Sequence, residues 1–174
     1  MPDSETTIIR DVNANVITFT IPFNRFAPFG YRNFVAVGNR ATAIRLSSGS
    51  VLLLNPIPLT QAVHNKLVSL GGVDYIAADL GHHLSVSSYL SVWPNAKSIG
   101  VPGLQKKRKD VRWDWIYGGD EELGERPEEV FGWEGEVESV LFEGFLTCAV
   151  AWWLVESRTL VLRKYVFHFL VRFV

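Results

Sequence analysis

Residues 16–22, VITFTIP, alternate β-branched and aromatic side chains, a pattern that predicts a strand. FNRFAPFGYRNF follows without a period, rich in rings, and reads as a loop with aromatic side chains tucked under it. The clearest local signal is ATAIRLSSGSVLLLNPIPL. Two β runs flank SSGS, which predicts a hairpin whose glycine takes positive φ, and Pro56 and Pro58 end the second strand. TQAVHNKLVSLGG then changes to a helical period. Val63, Leu67 and Leu70 share a face, Thr60 is placed as N-cap, and Gly71 stops the helix. VDYIAAD predicts a buried strand, LSVSSYLSVWPNA a second helix ended by Pro94, and KSIGVPG a further short strand. Strand, hairpin, helix, strand, helix, strand is the order of a layered α/β fold.

The pattern changes after Gly103. QKKRKDVR is a basic cluster and DEELGERPEEVFGWEGEVES is acidic, with Trp113, Trp115 and Trp133 around them. Opposite charge blocks of this kind predict solvated faces, so residues 103–140 are expected as a charged, tryptophan-rich surface excursion of a single domain spanning 1–174. The tryptophans either stay exposed for binding or cover the edge of the fold. A phosphate site at the basic cluster lacks the glycine loop or regular aromatic spacing to support it. The C-terminal apolar run, GFLTCAVAWWLVESRTLVLRKYVFHFLVRFV, is interrupted by Glu156, Arg158, Arg163, Lys164, His168 and Arg172. Its uninterrupted pieces fall short of the ~20 residues needed to span a bilayer, and two buried strands joined by ESRT account for it better.

Totals narrow the field. A chain of 174 residues, 48% hydrophobic and 20% charged, fits one folded domain with a sizeable core. A net charge of -1 gives no general reason to expect nucleic acid or an anionic membrane as partner, so a small-molecule substrate or ligand is the expectation. The N-terminus, MPDSETTIIRD, lacks the basic-then-apolar pattern of a secretory signal, which predicts a cytoplasmic location. Cys148 is the sole cysteine, so an internal disulfide and a cysteine zinc site are both excluded; in LTCAVAWW it reads as a small buried hydrophobe. The apolar C-terminal strands make a homodimer through edge pairing an expectation.

The candidate chemistry lies in DYIAADLGHHLSV. Asp79, His82 and His83 fall within five positions at the end of a predicted buried strand. Metal-ion hydrolysis needs ligands that converge and leave a position open for water, and a loop at a strand end allows that. The plainer alternative makes Asp79 the cap of the helix starting near Leu84 and the histidines polar rim residues. Without metal, Asp79 and His82 remain an acid–base pair, since histidine titrates near neutrality. No serine or cysteine nucleophile arrangement accompanies them.

NRATAIRLSSGSVLLLNPIPLTQAVHNKLVSLGGVDYIAADLGHHLSVSSYLSVWPNAKSIGVPGLQKKR resembles an uncharacterised family (a domain of unknown function) of the metallo-β-lactamase-like superfamily. The resemblance covers roughly residues 16–108, and ESRTLVL is similar to the family's last recognisable strand. It implies an αββα sandwich, incomplete at its C-terminal end, with metals at strand ends activating water. The family's HH corresponds to His82 and His83 and the preceding polar position to Asp79, making these three the implied metal ligands and Asp79 and His82 the implied catalytic residues. Departures from the pattern are plain. DLGHHL stands where the superfamily has His-x-His-x-Asp-His, Lys164 stands where a bridging acid is usual, and no histidine lies between His83 and His168. A lysine ammonium has no lone pair for a cation. The implied cofactor is one weakly held divalent metal (zinc, manganese or iron) or none. Two functions follow: a metal-dependent hydrolase of a small ester, lactone or thioester with an impaired site in a shortened or degenerate member, or a non-catalytic binding protein that keeps the fold.

Overall fold

A computed structural model of the protein describes residues 7–22, 38–118, 126–142, 144, 147–162 and 165–168. The aromatic loop after Pro22, Lys164 and the start of the acidic run (120–125) lie outside the described residues. The described chain forms β1 (Ile8–Asp11), β2 (Val16–Pro22), β3 (Gly38–Arg45), β4 (Val51–Leu54), α1 (Gln61–Ser69), β5 (Tyr75–Ala77), α2 (Val86–Val92) and β6 (Lys97–Gly100). It continues through α3 (Leu104–Lys107), β7 (Trp115–Ile116), α4 (Pro127–Phe131), β8 (Val137–Phe142), β9 (Ala149–Leu154), β10 (Thr159–Leu162) and β11 (Tyr165–His168).

Seven strands, β1 to β7 in chain order, make one sheet that is antiparallel as far as β4 and parallel from there. The hairpin between β3 and β4 turns at Gly49, whose φ of 88° is readily available only to glycine. β4 is buried at all four positions, as an interior strand with both faces covered must be. The parallel pairings require crossovers, and α1 and α2 supply them. Thr60 caps α1 by accepting the Val63 N–H, while Val63 and Leu67 turn inward. Gly71 and Gly72, at φ 112° and 105°, let the chain leave that helix and return to β5.

β8 to β11 form a second, antiparallel sheet, and β9 and β10 are the strand pair expected around ESRT. Side chains from both sheets and from α1 and α2 join one hydrophobic cluster. Tyr117 stands edge-on to Trp152, and Trp133 stacks on Trp152 at 6.3 Å, which closes the space between the sheets.

Two alternatives are decided here and one expectation, the burial of Cys148, changes. Trp115 and Trp133 are 3% and 4% exposed, so these rings fill the core instead of presenting a binding surface. Their large apolar area outweighs the charge of the surrounding sequence. Cys148 is only half-buried, and its φ of 46° marks a backbone bend before β9. The second helix starts at Val86 with Ser85 at its N-cap, so Asp79 is not its cap. Among the described residues no helix is long and apolar enough to cross a membrane.

Candidate functional site at the ends of the parallel strands

The carboxyl ends of parallel strands are where α/β sheets place ligands, because the connections diverge there and leave a crevice. β5 delivers Asp79 to that edge, with the Ala78 N–H still bonded to Ile99 on β6. Asp79 is 3% exposed. Its Oδ1 accepts the N–H groups of Gly81 at 2.7 Å and His82 at 2.9 Å, folding the loop back on itself. His82 Nδ1 lies 2.9 Å from the same oxygen and 3.1 Å from Oδ2. An ionised carboxylate only accepts, so Nδ1 is the protonated nitrogen, and in neutral His82 the lone pair is left on Nε2.

His83 turns away. It is 5% exposed, and its Nδ1 faces Arg108 Nη1 at 3.3 Å. A guanidinium only donates, so Nδ1 is the acceptor and the proton of neutral His83 sits on Nε2. Burial, reinforced by Lys107 and Arg108, holds the His83 pKa below the ordinary value, against the pull of Asp79 and Asp110. Arg108 also donates to the His83 carbonyl, to Ser87 Oγ at 3.0 Å, and through Nε and Nη2 to Asp110 at 2.8 and 2.6 Å. The Asp110 carboxyl is pulled down to about 2, with the Arg108 hydrogen bonds as main cause.

The structure therefore brings Asp79 and His82 together and parts His83 from them. The expected three-ligand metal set does not assemble: Asp79 Oδ1 is committed to three donors, and His83 Nδ1 is taken by Arg108. Among the described residues no group of three or more His, Cys, Asp and Glu side chains is placed to hold a metal ion. His168 lies on β11.

A narrow cleft beside Asp79 is lined by Asn55, Tyr117 and Trp152, with a volume of about 10 Å³, room for one water. Asn55 sits at the end of β4 with φ 52°, a conformation that asparagine tolerates better than most residues. Tyr117 donates to Ser139 Oγ at 2.6 Å, and Ser139 donates to buried Glu128 at 2.7 Å, fixing the far wall. On the other side of the loop a hollow of about 40 Å³ is lined by His82, Gly81, Asn39, Pro56 and Pro58. Asn39 Oδ1 is buried with no hydrogen-bond partner among the described residues.

Sequence reasoning missed Asn39, Asn55, Tyr117 and Arg108. The Asn-Pro step at 55–56 marks a turn, but nothing local ties Arg108 to a histidine 25 positions upstream.

No protein-family model matches the chain, and no curated protein sequence matches it significantly. Solved structures do. The metallo-β-lactamase DIM-1, exposed to ceftazidime, is similar over 91% of this chain and 69% of its own, with a TM-score of 0.60 and 14% identity. VMB-1 is similar over 87% and 67%, with a TM-score of 0.59 and 11% identity. A fragment (1–254) of a putative diflavin flavoprotein A 5 from Nostoc sp. PCC 7120 is similar over 87% and 63%, with a TM-score of 0.56 and 9% identity. The chain thus spans about two thirds of the length of these neighbours. At these identities the likeness is one of fold, and the fold of this chain is that of the metallo-β-lactamases.

Proposed function

We propose that the protein is a hydrolase of a small ester, lactone or thioester, in which Asp79 orients His82 and His82 acts as general base on water. The observation that carries this is the 2.9 Å contact between Asp79 and His82, at a strand end with His82 bordering an open hollow. The buried carboxylate fixes the Nδ1–H tautomer, which leaves the Nε2 lone pair to take the proton from water. The water oxygen bonds to the acyl carbon, the bond to the leaving group breaks, and His82 returns its proton to the leaving group. The resemblance to an uncharacterised family of the metallo-β-lactamase-like superfamily supports a hydrolase, although it implies metal-activated water instead of this acid–base pair. The structural similarity to a metallo-β-lactamase points to a divalent metal, but the donor atoms of this loop do not fit a three-ligand site.

The second reading is a non-catalytic binding protein. The one-water volume beside Asp79 favours it, because that cleft admits no substrate in its present shape. A panel of p-nitrophenyl esters, lactones and thioesters decides between them, with metal content measured on the same preparation. Hydrolysis that falls by roughly 10²–10⁴ in His82→Ala supports the acid–base pair. A folded protein with no turnover above the His82→Ala background sinks the hydrolase and leaves binding.

A further inference from the structure

The basic cluster and the histidine loop, read separately in the sequence, meet in the fold. α3 ends at Lys107, and its last side chain donates from Nζ to the Leu80 carbonyl at 3.0 Å. The next residue, Arg108, grips the other end of the loop at the His83 carbonyl, His83 Nδ1 and Ser87 Oγ. Asp110 holds the opposite edge of that guanidinium in a two-pronged ion pair, and the Arg108 side chain is only 12% exposed. The backbone behind it is fixed as well, by the Arg108 N–H to Leu104 and by Trp113 Nε1 to the Arg108 carbonyl. A planar guanidinium presents five donors in a rigid array, which is what reaching several acceptors at once requires.

We propose that Lys107 and Arg108 form a built-in cationic clamp that fixes the loop from Leu80 to Ser87, claims the Nδ1 lone pair of His83, and so makes His83 a positioning residue instead of a metal ligand. The two cations hold the loop at both ends while Asp79 holds its middle, so His82 is presented without any ion to organise it. The inference rests on the same loop that carries the proposed hydrolase site, but it concerns the neighbouring side chains and is read by a different measurement.

The test uses the full chain labelled with ¹⁵N-histidine. Long-range ¹H–¹⁵N spectra near neutral pH report which ring nitrogen carries the proton, with His83 assigned through His83→Gln. The clamp predicts neutral His83 with its proton on Nε2 by roughly tenfold or more, the preference expected of a hydrogen bond to a charged group. One equivalent of zinc should leave the His83 signals in place. Arg108→Met should release the ring to a mixture of tautomers, and Arg108→Lys should not restore it, since an ammonium cannot span His83, Ser87 and Asp110 together. A proton on His83 Nδ1 in the wild type, a zinc-induced shift of a His83 nitrogen, or an unaltered His83 in Arg108→Met overturns the clamp. The wild-type spectra decide alone if the Arg108 variants do not fold. Correct tautomers without hydrolysis would defeat the hydrolase and leave the clamp, and hydrolysis with the wrong tautomer would do the reverse.

Discussion

His82 and His83 are adjacent in the chain and opposite in circumstance. His82 faces a carboxylate, and its outer nitrogen is left for a proton or a ligand. His83 faces a guanidinium beside an ammonium, and burial with these cations favours the neutral ring. The two halves of the loop thus divide the work. One half holds an imidazole as a donor to a carboxylate, and the other holds an imidazole as an acceptor from a guanidinium. Residue type alone does not set a role, since two adjacent identical rings meet opposite partners at Nδ1.

Removing Asp79 should break the contrast most severely. The carboxylate is buried and accepts two backbone N–H groups as well as His82. Asp79→Ala leaves those donors unmatched and should cost about 3 kcal/mol, the upper range for hydrogen bonds to a charged group. In a chain of this size that lowers the melting temperature by roughly 6–12 °C. Asp79→Asn keeps one acceptor oxygen and should recover part of the loss. Calorimetry on both variants checks the size of the effect, and His ring spectra check its locality: His82 should change and His83 should not. Equal disturbance of both rings would show that the halves are not separable.

That separation explains what the sequence could and could not reveal. The β3–β4 hairpin, α1 with its Thr60 cap, and β9 and β10 were legible because each signal is local: a period, a turn glycine, a capping oxygen. A layered α/β fold was legible from the order of those segments, and its metallo-β-lactamase-like form from the family resemblance of residues 16–108. The site was legible only in part. Asp79 and His82 meet across three positions, within reach of pattern reasoning. The fate of His83 depends on Arg108, 25 positions away in a run that reads as solvated charge. The core positions of Trp115 and Trp133 were hidden in the same way, because burial there follows from packing between two sheets and not from neighbouring residues.

Acid should separate the two histidines next. In the unfolded chain His83 has a pKa near 6.5, while in the fold burial first, and Lys107 and Arg108 after it, hold the value lower. Asp79 and Asp110 oppose this without cancelling it. Below its ordinary pKa the unfolded chain therefore binds a proton that the folded chain resists. Stability from this source is complete above 6.5 and is lost as pH falls through the folded value. Urea midpoints compared at about pH 7.5 and about pH 5.5 should show the decline, and His83→Gln, which does not titrate, should flatten it. An unchanged slope in that variant would place the acid sensitivity elsewhere.

The smallest effect sharpens the comparison from the support side. Ser87 lies on α2 and gives its Oγ to Arg108 Nη2 at 3.0 Å, in a half-buried position that water can reach. Losing that acceptor in Ser87→Ala should cost about 1 kcal/mol, and the better helix propensity of alanine offsets roughly half of it. A net loss of about 0.5 kcal/mol in urea unfolding is expected, because Asp110 and the His83 carbonyl still hold the guanidinium. The His82 ring should not register the change, since its carboxylate partner is untouched. A loss several times larger would mean that Arg108 is held chiefly through Ser87. The clamp would then hang on a single hydroxyl instead of a shared set of acceptors, and the His83 half of the loop would be the weaker of the two.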